Sequence, residues 1–406
     1  MRELFKAFVF PALLLAGNIT PALARIPASA LRSGVLRGRN NTWAYSPVIH
    51  HDPNREALSN PSYSDEHGGL KISTLSSGPS KSKCPTVTGN IKVNAYQLYP
   101  EHADFNSDNC LVYLSVLYNT TIAVYDPYKD QVVDTINLPG LSGDPILHLS
   151  GVGVDPQGLL SVVVDAGAAF DTQGKDISGD NFLVKVDPVR GQVLWRKNLT
   201  EVTNGVYGGY QDVAHDAHGN TFVVGTFPTS IVKVGPNGST AIPWYLQPQP
   251  NQTVHGLTGL AANGEILLAT DSSDGQLYRF NSTNGMGRKT HVPIKGNRTA
   301  GIGNDLDGIA LPQCFNGTVL LVSDNTEGTI VLRSADGLWT SAEVLGTVPN
   351  MLLSQNGSTV DTVEIAGSLY SVNEFFLDDK VPGTLAGDRT QFPMIDITKE
   401  VLALLR

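Results

Sequence analysis

The sequence predicts an all-β fold, a six-bladed β-propeller preceded by a signal peptide and a flexible leader. Three observations predict it. One residue pattern recurs about every 50 positions, each copy carries short alternating β runs, and 41 glycines with 24 prolines among 406 residues supply turns throughout. A unit of that size cannot bury both faces of its own sheet, so the copies must close into a ring. With 41% hydrophobic and 16% charged residues the chain is globular, which excludes a coiled coil, a helical bundle and a mostly disordered polymer.

Residues 1–24 read as a signal peptide. Arg2 and Lys6 precede an apolar run over 7–16, and Ala22-Leu23-Ala24 supplies small residues for cleavage. A core of about ten residues is too short to cross roughly 30 Å of hydrocarbon, and no later stretch is long enough, so no membrane span is expected. Residues 25–83 are rich in Ser, Pro, Gly, Asn and His without periodicity, a low-complexity leader. The propeller is assigned to 84–380 and a C-terminal tail to 381–406.

The copies open at Glu101, Ser150, Gln211, Thr258 and Asp307, with a faint sixth at Asp361, spaced 49, 61, 47, 49 and 54 residues apart. Each opening is followed by a polar turn, with glycine in every copy but the first, and an alternating run. Turn pairs such as Asp126-Pro127 and Asp187-Pro188 end further runs, enough for four strands per blade. Residues 89–98 complete the last blade. A β-sandwich or a pair of barrels is the rival architecture, because the sixth copy is faint.

Nine sequons beyond the expected signal peptide mark the expected compartment: Asn40, Asn119, Asn198, Asn237, Asn251, Asn281, Asn297, Asn316 and Asn356. Spread along the chain in polar turns, they point to a secreted glycoprotein. The three cysteines permit one disulfide at most. Cys84 with Cys110 is the preferred pair because both flank the first strands, and three buried thiols are the alternative. A net charge of −10 with no basic stripe argues against nucleic acid as a partner. A monomer that takes a small apolar metabolite is expected.

In a propeller the residues that open the inner strands face one another across the channel. Three of the six are acidic here: Glu101, Asp307 and Asp361. Carboxylates in one ring repel unless a cation sits among them or one keeps its proton. Glu101 and Asp307 are therefore candidates both for catalysis and for binding Ca2+, with Asp324 and Asn325 as further oxygen ligands. His102, His148, His215 and His255 fall within a few residues of opening positions, and His148, His215 and His255 are candidate proton carriers. A lone histidine or an acidic strand opening is also ordinary core or turn chemistry. No Gly-x-Ser-x-Gly elbow, P-loop, His-Glu-x-x-His or zinc-spaced cysteine pair is present.

Tyr99-Pro100-Glu101, Leu306-Asp307-Gly308-Ile309-Ala310-Leu311 and Val322-Ser323-Asp324-Asn325 resemble the gluconolactonase and paraoxonase superfamily of calcium-dependent propeller hydrolases. That resemblance implies a metal held by a Glu, two Asn and an Asp. Glu101 and Asp307 match the first and last, while Ser150 and Thr258 stand at the two Asn positions. A closer likeness covers roughly seven tenths of the chain. Lys83-Cys84-Pro85, Tyr96-Gln97-Leu98-Tyr99-Pro100-Glu101, Ala103-Asp104-Phe105 and Tyr125-Asp126-Pro127 are similar to the fungal trichothecene biosynthesis protein 14 family. It implies a role in a gene cluster making a mycotoxin-type secondary metabolite, with a link to virulence.

Three functions follow as expectations. The first is a cofactor-independent cyclase or isomerase acting on a compact apolar terpenoid or polyketide intermediate in the channel. The second is a calcium-dependent lactonase or esterase. The third is a secreted carrier or virulence-associated binding protein without catalysis.

Overall fold

The computed structural model describes residues 84–296 and 301–406, whose strands form six antiparallel sheets of four. Blades one to five cover 103–137, 147–198, 208–246, 257–291 and 306–349, each running in chain order from axis to rim. Their inner strands are Ala103–Asn106, Leu147–Val154, Gly208–His215, Leu257–Asn263 and Leu306–Ala310, and that of blade six is Ser358–Ile365. Each inner strand touches the inner strands of both neighbouring blades, so the ring is closed. The expected six-bladed propeller is the fold.

Blade six is made from both ends of the described chain. Ile91–Asn94 pairs antiparallel with Gln391–Asp396, Ile91 opposite Met394, and forms the rim of that blade. This join leaves no open edge between the first and last repeats. It also corrects the boundary expected at 380. Phe392 and Met394 alternate with more exposed neighbours and are 1% accessible, the period of a strand with one buried face. The helix Thr398–Leu404 then packs its buried Val401 against blades five and six. Residues 1–83, the expected signal peptide and leader, lie outside the described residues.

The second strand of most blades is buried along its whole length because a neighbouring blade covers each face. Leu160–Ala166, Thr221–Phe227, Val319–Asp324 and Ser368–Glu374 are wholly buried, whereas the rim strand Gln131–Asn137 buries only Ile136. Tyr113, Ile122 and Val124 of blade one meet Leu149, Val152 and Val162 of blade two in one such interface. Each buried aliphatic side chain there contributes about 1.5–3 kcal/mol. Cys84 and Cys110 are joined by a disulfide that ties the described N-terminus to blade one, and Cys314 is a free, exposed thiol.

One local irregularity aims the site. The pairing of inner and second strands slips between Leu149 and Val152, Tyr210 and Asp212, Leu257 and Leu260, Leu306 and Ile309, and Thr359 and Asp361. These bulges contain Ser150, Gln211, Thr258 and Asp307, four of the six positions that open the sequence repeats. An unpaired residue at a bulge bends its strand and re-aims its side chain. Glycine follows three of them because inner strands meet backbone to backbone. A Cβ on Gly151 would lie 2.6 Å from the Gln211 carbonyl oxygen, and one on Gly259 would lie 2.6 Å from that of Asp307.

Candidate active site

At the end of the channel where the inner strands begin, the blades surround a cavity of about 440 Å³. That volume suits a small organic ligand. The bulged strands bring Ser150, Gln211 and Asp307 to its wall, and the turn before blade one brings Glu101. His148, Asp171, Gln173, His255, Asp305 and Asn325 complete the polar part. Leu117, Tyr118, Phe170, Leu306 and Phe376 form an apolar part.

Burial shifts several ionisable groups of this cavity toward their neutral forms. Burial, reinforced by Asp361 and Asp212 and opposed by His102, pushes the Glu101 carboxyl up to about 7. Its Oε2 is sealed from solvent and has no hydrogen-bond partner. Burial and then the field of Glu101 hold the Asp307 carboxyl well above the usual range. Burial acts in the opposite direction on imidazoles and lowers both His148 and His255. The His148 ring meets Tyr118 edge-on at 5.4 Å, and His255 stacks on Phe227 at 5.2 Å. Near neutral pH Asp307 therefore favours its acid form, Glu101 is divided between acid and carboxylate, and the imidazoles are free to accept protons.

A buried ion cluster closes the floor. His102 Nε2 lies 3.1 Å from Asp212 Oδ1, and Nδ1 lies 3.4 Å from Asp361 Oδ2. These are ion-pair contacts rather than aligned hydrogen bonds. Burial opposes charge on His102, yet Asp361 and Asp212 together push it up to about 10. The carboxylates also stitch neighbouring blades: Asp212 Oδ2 accepts from Leu260 N at 2.7 Å, Asp361 Oδ2 from Ala103 N at 3.2 Å, and Asp104 Oδ2 from Val154 N at 2.7 Å. His102 thus links blades one, three and six across the axis.

The donors do not make a calcium site. Calcium takes six to eight oxygens. The Ser150 hydroxyl is 2.5 Å from Asp165 Oδ1, and Thr258 Oγ1 is 3.2 Å from Thr270 Oγ1 and absent from the cavity wall. Among the described residues no group of three or more His, Cys, Asp or Glu is placed to hold a metal ion.

Residues 79–345 match the family described as Mal s 1 allergenic protein-like. The chain belongs to the Mala s 1-like family. It is similar to trichothecene biosynthesis protein 14 of Trichoderma arundinaceum, with 34% identity over 79% of this chain and 92% of the relative. Core trichothecene cluster protein 14 of Fusarium sporotrichioides is 31% identical over 79% of this chain and 87% of its own length. The crystal structure of the major Malassezia sympodialis allergen Mala s 1 superposes with a TM-score of 0.66 at 21% identity, covering 77% of this chain and 96% of the allergen, and so shares the fold.

In this Mala s 1-like chain the structure brings Glu101, Asp307, His148, His255 and Asn325 to one cavity, but not His215 or Asp324. His215 ends its inner strand at the other side of the propeller, where Nε2 contacts Ser161 Oγ at 2.9 Å. Burial and the charge of Lys185 push it down to about 3. Asp324 accepts five hydrogen bonds, from the backbone of Asn304, Asp305, Thr326 and Glu327 and from the Thr326 hydroxyl, and so organises its loops. Burial alone would raise its carboxyl, but those N–H groups hold it below the ordinary range. Sequence reasoning missed Tyr118, Phe170 and the buried acids Asp165 and Glu374. A signal for the acids exists: second strands repeatedly carry an acidic residue at their last or next-to-last position, at Asp165, Asp271, Asp324 and Glu374.

Proposed function

We propose that this chain is a cofactor-independent cyclase or isomerase of secondary metabolism, acting on a small apolar intermediate. The observation that carries the reading is the gathering of Glu101, Asp307, His148 and His255 on the wall of one cavity, where burial favours the carboxyl over the carboxylate and the neutral imidazole over its cation. The names of the two curated relatives, one for trichothecene biosynthesis and one for a core trichothecene cluster, support the metabolic setting. Leu117, Tyr118, Phe170 and Phe376 hold the carbon skeleton and exclude water. Glu101 or Asp307 protonates an oxygen or double bond, and His148 or His255 removes a proton elsewhere on the same molecule. Such a step consumes no net proton and needs no redox partner.

The reading includes secretion. The Cys84–Cys110 disulfide suits an oxidising compartment. No described helix is long and apolar enough to cross a membrane. Asn119, Asn237, Asn251, Asn281, Asn316 and Asn356 are exposed for glycan attachment, and Asn198 is half-buried as a helix cap. Asn40 and Asn297 lie outside the described residues.

The test is gene deletion with metabolite profiling, followed by complementation with the Glu101→Ala and Asp307→Ala double variant. Deletion accumulates one precursor, and the folded double variant forms product at least about 100-fold more slowly. Unchanged product from a folded double variant replaces catalysis with the carrier function.

A further inference from the structure

Ser150 and Asp165 form a buried pair that the roles above leave unused. Ser150 occupies the bulge of the blade-two inner strand, is 3% exposed and lines the cavity. Its Oγ lies 2.5 Å from Asp165 Oδ1, at the short end of the range for a hydroxyl bound to a carboxyl group. Asp165 is fully buried in the adjacent strand, and its Oδ2 has no partner. A sealed carboxyl group with an unpaired oxygen is costly as an anion and stable as an acid. Asp165 also pairs in register with His148, which places both side chains on the same face of blade two.

We propose that Asp165 and Ser150 form a proton relay that returns protons from the basic side of the cavity to the acidic side between turnovers. The inference rests on the acid and base roles given above to Glu101 and His148. After one turnover Glu101 is a carboxylate and His148 an imidazolium. The Ser150 hydroxyl, which donates to Asp165 Oδ1 in the structure, turns toward a cavity water; the Asp165 O–H bond breaks as its proton passes to Ser150 Oγ, and Ser150 releases its own proton through that water to Glu101. Asp165, now a carboxylate, takes the proton of His148. Every group is restored, with no exchange with bulk solvent. Besides Ser150, the groups whose fields reach Asp165 are Glu101 and Asp171, both on the cavity wall, and both favour its protonated form.

The decisive experiment needs no substrate. The carboxyl resonances of the full chain, labelled with 13C at aspartate, are followed against pH. The Asp165 signal is expected to titrate near 8, as burial dictates. Ser150→Ala removes the hydrogen bond that favours the carboxylate and moves the midpoint higher, and Ser150→Thr restores it. Glu101→Gln removes a negative neighbour and moves it lower. A midpoint in the ordinary aspartate range, or one that neither Ser150→Ala nor Glu101→Gln moves in variants that melt normally, overturns the relay. A kinetic arm uses the compound that accumulates in the deletion strain. Asp165→Asn lowers steady-state turnover at least about tenfold more than it lowers the first turnover, and equal losses overturn the relay. If the Glu101 and Asp307 double variant still makes product, the enzymatic reading falls on that result alone, whatever the titration shows.

Discussion

The two ends of the propeller channel hold the same kinds of side chain in opposite conditions. At the far end of the blade-two and blade-three strands, Lys185 Nζ reaches Asp155 Oδ2 at 2.5 Å and Ser161 Oγ at 2.9 Å, and His215 shares that hydroxyl. The other Asp155 oxygen accepts from Gln157 N and Leu159 N. No oxygen of Asp155 is idle, and the cluster has no place in the cavity wall. At the cavity end, Glu101 Oε2, Asn325 Oδ1, Asp165 Oδ2 and both Glu374 oxygens have no partner. A buried polar group left unpaired costs about 1–3 kcal/mol. Carboxyl and imidazole groups therefore serve the fold where their hydrogen bonds are complete. Where the bonds are incomplete they retain the capacity to act on a ligand.

The largest break in that contrast comes from the closed end. Lys185→Met strands the buried Asp155 and is expected to destabilise the chain by about 3–5 kcal/mol in guanidinium unfolding. The Glu101 and Asp307 titrations stay in place, because the lost charge lies at the other end of the channel. A shift in those titrations would mean that the two ends are not independent.

Gly259→Ala acts on the cavity end through the backbone. The new Cβ meets the Asp307 carbonyl oxygen and, at 2.9 Å, Ile309 N, so the bulge that aims Asp307 must move. The expected loss is about 1–3 kcal/mol, with product formation reduced together with stability. A stable variant with unchanged activity would show that the bulge does not set the position of Asp307.

The smallest effect has the opposite sign. Burial raises the folded Glu101 carboxyl from 4.5 to about 7, so the folded chain binds its proton more tightly than the unfolded chain does. That contribution to stability is complete below pH 4.5 and is lost as pH rises through 7. Glu101→Gln removes the dependence and makes the chain more stable than wild type by about 1 kcal/mol at pH 8, the neighbouring His102 and Asp307 taking up part of the change. Melting curves at pH 5 and pH 8 check it: a variant no more stable than wild type at pH 8 would mean that Glu101 is not held as an acid.

Much of the architecture was legible because it is written locally. Period-two runs, glycine turns and the recurrence from Glu101 to Asp307 are contained within single blades, and Cys84 with Cys110 spans only 26 residues. The return of Gln391–Asp396 to the ring was not legible, since its partner Ile91–Asn94 lies some 300 residues away in the chain. The site was legible only as a set of positions. His148, His215 and His255 look alike beside their repeat openings. The first, in its inner strand, and the third, in the loop just before its inner strand, reach the cavity, whereas the second ends its strand at the closed end.

From its amino acids alone the chain determined the number of blades, the strand period and the residues eligible to face the axis, because alternation and turn chemistry act between near neighbours. Tertiary structure decided which eligible groups bear charge. Glu101 comes from blade one, but its proton is held by burial and by the fields of Asp212 in blade three and Asp361 in blade six, with His102 pulling against them. A carboxyl group surrendered by water responds to every charge around it, and those charges come together only when the ring closes.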